Sequence, residues 1–269
     1  MSKALTLSIV IPVYNEEDHL KACLDSIAQQ SEKPNEVILV DNNSTDKTVE
    51  IAKSYKFIRV VKEDKQGIVF ARDKGFNAVK YDIIARIDAD TRLPVNWVER
   101  VKSFYKNEEN KNNALTGGGY FYNVRLPRVN GWILGQIAYR MNRMLLGHYI
   151  VWGSNMALPH KLWQDVKGSV CHRNDIHEDL DLAIHLHRKG HEITYIENLR
   201  VGIKMRRVRS DQLKLWDNQR LWPQTLRVHG RWTWVFGWLG AAFLTFIGAP
   251  IVRTAELIAR LSGRKSLSE

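Results

Sequence analysis

Four short apolar runs, each followed by a segment of helical spacing, constrain the fold of this 269-residue chain more than any other feature. The runs are rich in β-branched residues and cover Leu7–Val13, Glu36–Asp41, Phe57–Val61 and Asp82–Asp88. Such alternation predicts βαβ units and a mostly parallel sheet flanked by helices, which is an α/β fold. The predicted helices are 16–30, 47–55, 67–79, 95–107 and 180–189, and the further predicted strands are 120–124 and 192–196.

Acidic residues end two of these runs. Asp41 closes the second and Asp88 the fourth, and ligands of open α/β sheets bind at the carboxyl ends of the strands. In extended chain, Asp88 and Asp90 point to the same side, so together they can hold a hard divalent cation such as Mg²⁺ or Mn²⁺. A solvated turn before Pro94 explains the same residues without a ligand.

Three further segments carry charge that suits a functional site. Arg72 lies near the start of a predicted helix, where a cation and helix amides can meet an anion. Glu178 and Asp179 precede another helix, and such carboxylates either cap the helix or act as a general base. The basic segment 204–207 is either a solvated face or the positive charge that flanks a membrane segment.

The net charge of +11 is unevenly distributed. Residues 121–269 hold 22 Lys and Arg against 11 Asp and Glu, whereas residues 1–120 hold 18 of each. This asymmetry indicates a polyanionic partner, either nucleic acid, anionic lipid or a phosphorylated substrate. The basic stretch 200–231 lacks a nucleic-acid-binding motif, so we expect no nucleic acid partner.

The segment 232–252 is 21 residues long and has no charged residue, and five tryptophans cluster at its approach. An uncharged segment of this length with a cluster of tryptophans beside it predicts contact with a membrane surface. A full span, an interfacial helix and a buried hydrophobic hairpin all remain open. Residues 131–151 form either a basic amphipathic helix on a membrane or a helix packed on the domain.

Cysteine and histidine spacing argues against a metal site of their own. Cys23 and Cys171 lie far apart without a CxxC motif, which excludes a disulfide scaffold and a cysteine-based zinc site and fits a reducing compartment. The histidines between 172 and 191 lack an HExxH pattern, and His185 and His187 face different ways on a helix. We therefore predict no histidine metal site.

In their order and spacing, the motifs resemble the family-2 glycosyltransferases of GT-A fold over about residues 6–210. The resemblance implies a Rossmann-like sheet and inverting transfer from a nucleotide-diphosphate sugar, with UDP-sugar favoured over GDP-sugar. It assigns donor binding to Pro12, Tyr14, Glu16, Asp41, Arg72, Asp88, Arg206 and Arg207, metal binding to Asp88 and Asp90, acceptor binding to Gly153, Ser154 and Asn155, and catalysis to Asp179 as base with Glu178.

The resemblance also sets the expected organisation. A glycosyltransferase domain would cover 1–210, with a nucleotide-sugar half to about 92 and an acceptor half after it, followed by a basic, Trp-rich helical region over 211–269 with membrane-associated helices. No QxxRW box follows the base, which favours adding one sugar over processive synthesis. We expect a lipid-linked or glycolipid acceptor. Because the first apolar run is too short for a signal peptide, we expect the catalytic domain at the cytoplasmic face of the cell membrane. A catalytically silent scaffold, a nucleotidyltransferase and a nucleic-acid-binding protein are the alternatives.

Overall fold

The computed structural model describes residues 4–123, 139–140, 142–204, 206, 212–250 and 253–254. Within them, seven strands form one sheet in the order β3-β2-β1-β4-β6-β5-β7. The strands are β1 (Leu7–Val13), β2 (Glu36–Asp41), β3 (Ile58–Lys62), β4 (Ile83–Arg86), β5 (Ala114–Phe121), β6 (Met156–Pro159) and β7 (Ile193–Ile203). Strand β6 runs antiparallel to β4 and β5, and the other pairs are parallel. The predicted α/β fold with a mostly parallel sheet is therefore confirmed.

Helices cover both faces of the sheet, as the apolar runs predicted. One face packs against α1 (Glu17–Ala28), α2 (Thr48–Lys53) and α4 (Trp97–Lys106). The other packs against α3 (Ile68–Ala78), α5 (His160–Val166) and α6 (Glu178–Arg188). Because β1 is buried along its whole length, it reads as a continuous apolar run rather than an alternating one.

Helix α6 begins two residues before the predicted start at Leu180. Glu178 and Asp179 consequently lie in its first turn, where the partial positive charge of the helix N-terminus favours carboxylates. The helix is anchored by a hydrogen bond from the backbone amide of His177, its N-cap residue, to Thr225 Oγ1 at 2.8 Å.

The strand predicted over 120–124 differs from the structure. The observed strand β5 begins at Ala114 and contains Gly117, Gly118 and Gly119 in its interior. A Cβ at Gly119 would lie 2.5 Å from the ring of Trp152, and one at Gly117 would lie 2.0 Å from Leu199 O. Close approach of neighbouring groups, and not a turn, therefore explains the glycine run.

The C-terminal part is helical and packs on α6. Helices α7 (Gln212–Gln219), α8 (Leu221–Val228) and α9 (Trp234–Phe243) precede a π-helical turn, Leu244–Gly248. Leu226 of α8 is buried against Leu180 and Ile184 of α6. Part of the candidate amphipathic segment 131–151 lies outside the described residues, but Leu146 belongs to this same apolar cluster.

No helix in the described part of the chain has both the length and the apolar character needed to cross a membrane. Large apolar side chains are nonetheless exposed along this region. Trp232 is 72% exposed and Leu239 64%. The others, each about half exposed, are Val235, Phe236, Phe243, Phe246 and Ile247. We call this set, from Trp232 to Ile247, the apolar patch.

Candidate functional site

The site forms where β4 ends beside the start of β6. Because the two strands are antiparallel and pair Arg86 with Met156, the residues after β4 lie beside those before β6. This pairing brings Asp88 to Ser154, whose hydroxyl donates a hydrogen bond to Asp88 Oδ2. The predicted metal ligand and the predicted acceptor residue are therefore in direct contact.

Arg86 joins the two acidic motifs. Its guanidinium is buried and lies 2.6 Å from Asp179 Oδ1, 2.9 Å from Glu178 Oε1 and 3.2 Å from Asp88 Oδ1. A buried arginine is stable only when paired, and three carboxylates supply that pairing. One side chain thus fixes the predicted catalytic pair relative to Asp88.

The pKa values of Glu178 and Asp179, the predicted catalytic pair, are shifted in opposite directions. Burial raises the pKa of Asp179, and the negative charge of Glu178 raises it further, against the opposing effect of Arg86. Burial also pushes the pKa of Glu178 upward, but the charges of Arg86, His177 and Arg72 and the hydrogen bond from Arg86 together outweigh it and leave that pKa below its ordinary value. Asp179 is therefore the member of the pair that takes up a proton more readily.

Both oxygens of Asp179 are held in place. Arg86 Nη1 donates to Oδ1, and the backbone amide of Gly153 donates to Oδ2 at 2.8 Å. Each oxygen keeps a further lone pair, so the carboxylate can still accept a proton from a hydroxyl. Gly153, predicted to bind acceptor, is shown here as a support for Asp179.

A cavity of about 640 Å³ lies above these residues. Its walls include the predicted site residues Pro12, Tyr14, Glu16, Asp88, Asp90, Ser154, Glu178, Asp179 and Arg206. Residues from opposite ends of the chain therefore face one space, as expected for the carboxyl edge of a parallel sheet. Their individual roles stay predictions.

Arg206 crosses the cavity between two acids. Its Nη1 lies 2.9 Å from both carboxylate oxygens of Glu16, and its Nε lies 2.8 Å from Asp90 Oδ2. Burial raises the pKa of Glu16 and of Asp90, and Arg206 opposes that rise in both. The arginine is thus held on this side of the cavity by the acids it neutralises.

Asp88 and Asp90 fit a divalent cation. They supply hard carboxylate oxygens, which Mg²⁺ and Mn²⁺ prefer. The negative charge of Asp88 is one cause of the raised pKa of Asp90, so a cation bound to both would offset the repulsion between the two carboxylates. His177, Glu178 and Asp179 also present ligand atoms within 4.8 Å of one another. Arginines contact the carboxylates of both groups: Arg86 contacts Glu178, Asp179 and Asp88, and Arg206 contacts Asp90.

Four predicted site residues do not line the cavity. The side chain of Arg72 is fully buried, pairs with Asp73 and donates to Glu178 O at 2.9 Å. Asp41 is buried and accepts a hydrogen bond from Ser44 N at 3.0 Å, while the adjacent Asn42 faces the cavity.

Asn155 is buried inside the sheet, where it forms hydrogen bonds with Trp97 Nε1, Gly118 O and Leu199 O. Gly153 supports Asp179 as described, and Arg207 lies outside the described residues.

Sequence reasoning missed two parts of the site. Arg86 carried a detectable signal, because a charged residue inside the apolar strand 83–87 requires a buried partner. Asn218, Gln219 and Leu221 also line the cavity, although they belong to the C-terminal helices that were assigned only to membrane contact. No local pattern in the sequence indicated that these helices return to the site.

A family model described as glycosyl transferase family 2 matches residues 8–166, which is more than half of the chain. The glycosyltransferase GlyA of Streptococcus pneumoniae is 30% identical over 140 residues, covering 49% of this chain. The match covers 19% of GlyA, so the chain spans only about a fifth of that relative's length.

Two solved structures share the fold. The mannosyltransferase PcManGT from Pyrobaculum calidifontis, in complex with GDP-Man and Mn²⁺, has a TM-score of 0.64 at 16% identity, covering 99% of this chain and 77% of its own. S. aureus TarS 1-349, in complex with UDP-GlcNAc, has a TM-score of 0.60 at 15% identity, covering 89% and 73%. At this identity the likeness shows the fold alone, and it is the GT-A fold that the sequence motifs implied.

Proposed function

The chain belongs to glycosyl transferase family 2 and is a glycosyltransferase, and from this premise we propose what it transfers and how. The donor is a nucleotide-diphosphate sugar, with UDP-sugar favoured and GDP-sugar as the alternative. One sugar moves, with inversion, to a hydroxyl of a lipid-linked acceptor at the cytoplasmic face of a membrane. The overall transfer releases a nucleoside diphosphate and the proton of the acceptor hydroxyl.

One observation carries the proposal. Asp179, Asp88 and Asp90 line the same cavity, and Arg86 connects Asp179 to Asp88. An inverting transferase needs a base on one side of the anomeric carbon and a stabilised leaving group on the other. The cavity offers Asp179 as the base and Asp88 on the leaving-group side, and Arg86 contacts both carboxylates.

Asp179 is proposed as the general base. A base works best when its pKa lies near the working pH, and burial raises the pKa of Asp179 toward that range. The two hydrogen bonds from Arg86 and Gly153 fix its orientation. The carboxylate removes the proton of the acceptor hydroxyl as that oxygen bonds to the anomeric carbon and the bond to the diphosphate breaks.

The leaving group is proposed to lie toward Asp88, Asp90 and Arg206. A divalent cation bound by the two aspartates supplies charge neutralisation for the diphosphate. When Arg206 releases Glu16 or Asp90, its guanidinium adds a second positive charge at the same place. Pro12 and Tyr14 line the nucleoside side of the cavity.

The apolar patch and the nearby basic residues support a membrane-bound acceptor. Exposed tryptophan and phenylalanine suit the interfacial region of a bilayer, and Arg220, Arg227 and Arg231 add positive charge beside it. Helix α7 contributes Asn218 and Gln219 to the cavity wall, so the same helical region approaches both lipid and active site.

Release of nucleoside diphosphate tests the proposal. The full chain is incubated with UDP-, GDP- and dTDP-sugars and Mg²⁺ or Mn²⁺, with and without a membrane lipid extract. We expect release from one donor, stimulated by lipid. If water-soluble acceptors stimulate release and lipid does not, the proposal of a lipid-linked acceptor is wrong, but the assignment as a transferase stands. No release with any donor, together with no metal-dependent nucleotide binding, would favour a silent scaffold.

A further inference from the structure

A second cluster of metal-ligand residues lies on helix α6, separate from the cavity. It consists of Cys171, Asp181, His185 and His229, whose ligand atoms all lie within 4.8 Å of one another. Asp181 and His185 are one helical turn apart on α6, Cys171 comes from the loop before it, and His229 follows α8. None of these four residues lines the catalytic cavity.

Asp181 is the centre of the cluster. It is fully buried, and its Oδ2 accepts a hydrogen bond from the backbone amide of Cys171 at 3.0 Å. His229 Nε2 lies 2.8 Å from Oδ1, and His185 Nε2 lies 3.4 Å from the same oxygen. Potential ligands from three separate segments thus converge on one buried carboxylate.

His185 supplies an independent observation. Only 9% of the residue is exposed, and its buried Nε2 makes no hydrogen bond within the described residues. Its 3.4 Å contact with Asp181 Oδ1 is close enough for an ion pair but lacks the geometry of a hydrogen bond, and a buried nitrogen without a hydrogen bond is costly. The atom is directed at the other three ligand groups, where a metal ion would satisfy it.

We propose that Cys171, Asp181, His185 and His229 bind one Zn²⁺ ion that links the C-terminal helices to α6. This proposal reverses the expectation, based on local sequence spacing, that the cysteines and histidines form no metal site. Thiolate, imidazole and carboxylate are the ligands of tetrahedral zinc, and four protein ligands characterise a closed, structural site. The thiolate and carboxylate balance the charge of the ion. The ion tethers the 171 loop, α6 and the end of α8.

Metal binding requires two proton movements. In the metal-free protein, burial raises the pKa of the Cys171 thiol to about 11, so binding releases its proton to solvent. Arg188 Nη1 lies 3.0 Å from His229 Nδ1, and because arginine only donates, this contact places the imidazole proton on Nε2. Zinc at Nε2 moves that proton to Nδ1, and Nη1 of Arg188 must turn away, while Nη2 can keep its bond to His229 O.

Cobalt provides the test, because thiolate-bound Co²⁺ absorbs in the near ultraviolet and carboxylate-bound Co²⁺ does not. The metal-depleted full chain is titrated with Co²⁺ in excess Mg²⁺, which occupies oxygen-only sites, and then with Zn²⁺. We expect a thiolate band that one equivalent of Zn²⁺ removes. Cys171→Ser should abolish the band, whereas Cys23→Ala and His187→Gln should keep it.

Arg188→Gln separates the metal site from a plain hydrogen-bonded cluster. The glutamine oxygen can accept the proton on His229 Nδ1, so zinc affinity should rise on the order of tenfold, the usual scale for groups that orient a ligand. This variant does not depend on removing a buried group, so it remains informative if Cys171→Ser fails to fold. Absence of a thiolate band in the wild type, or weaker zinc binding by Arg188→Gln, would overturn the proposal.

Discussion

Gly153 lies against the guanidinium of Arg86 so closely that a Cβ built on Gly153 would stand 2.5 Å from Arg86 Cζ and 2.6 Å from Nη2. The amide of the same glycine donates to Asp179 Oδ2. One residue without a side chain therefore leaves room for the arginine and holds the carboxylate that the arginine neutralises. The small residue at this position therefore serves the ion cluster, and its predicted role in acceptor binding stays a prediction.

Gly153→Ala should displace Arg86 and misplace Asp179. Overpacking of this kind costs about 1–3 kcal/mol, so we expect a lower free energy of unfolding together with a marked loss of transfer. Gly168→Ala is the matched control, because a Cβ there meets nothing within 4 Å. Urea unfolding and nucleoside diphosphate release measure the two effects. Equal behaviour of both variants would contradict the crowding argument.

Arg86→Met should leave Glu178 and Asp179 as buried, unpaired carboxylates. Removing one partner of a buried ion pair costs about 3–5 kcal/mol, and transfer should be lost with it. Without the arginine, burial raises both carboxylate pKa values above those of the unfolded chain, so the folded state binds more protons. The stability deficit should therefore shrink as the pH falls.

The control for that variant is Arg200→Met, which breaks an exposed ion pair with Glu197 and an exposed hydrogen bond to the carbonyl of the same residue. Exposed pairs contribute about 0–1 kcal/mol, so its unfolding free energy should hardly change. A deficit in Arg86→Met that stays constant between pH 8 and about pH 5 would show that the carboxylates are not its cause.

Asp179→Asn should remove the proposed base while retaining the shape of the site. General base catalysis contributes about 10²–10⁴-fold, so kcat should fall by that factor with donor affinity nearly unchanged. Calorimetric titration of the donor checks binding, and nucleoside diphosphate release checks transfer. Asp165→Asn, which changes an aspartate paired only at the surface with His191 and Lys189, should keep full activity. Loss of donor binding in Asp179→Asn would place this residue in the donor site instead.

The pH dependence of transfer should follow the ionisation of Asp179. The base works only when deprotonated, so kcat should decline as the pH falls through its pKa. Because burial and the charge of Glu178 raise that pKa, the decline should occur well above the ~4 of an ordinary aspartate. A profile that stays flat down to pH 4 would exclude Asp179 as the base.

The apolar patch should be the part of the chain that binds lipid vesicles. Changing Trp232, Phe236 and Leu239 to serine removes three exposed apolar side chains, each worth about 1.5–3 kcal/mol when buried in lipid. We expect co-sedimentation with anionic vesicles to weaken at least tenfold. Phe57→Ser with Val95→Ser, which changes exposed apolar residues of the sheet domain, should bind as the wild type. Unchanged binding in the triple variant would place the membrane contact elsewhere.

Local patterns in the sequence were sufficient for the strands and helices of the first hundred residues. The apolar run at Leu7–Val13, the acid that ends β2 and Asp88, which lies two residues after β4, gave the parallel sheet and its ligand-binding edge. The family motifs then placed Asp88, Asp90 and Asp179 in one site, and all three face one cavity. Periodicity and motif spacing are local properties, and these features depend on little else.

Features that depend on distant partners could not be predicted. Asn155 lies in a motif associated with acceptor binding, yet its hydrogen bonds to Trp97 and Leu199 make it part of the sheet interior. Arg86 contacts carboxylates more than ninety positions away along the chain. Such pairings are set by strand order, and the antiparallel insertion of β6 leaves no mark in the sequence around it.

The hydrogen bond from the His177 amide to Thr225 has a practical consequence for expressing the enzyme. A chain shortened to the predicted boundary at residue 210 would retain every carboxylate of the cavity. It would lose the Thr225 hydroxyl, which accepts the hydrogen bond at the start of α6. It would also lose Leu226, which covers apolar residues of α6, and Gln219, which lines the cavity. A shortened chain should therefore end after His229, which keeps Thr225, Leu226 and Gln219 and removes the apolar patch together with the rest of residues 230–269.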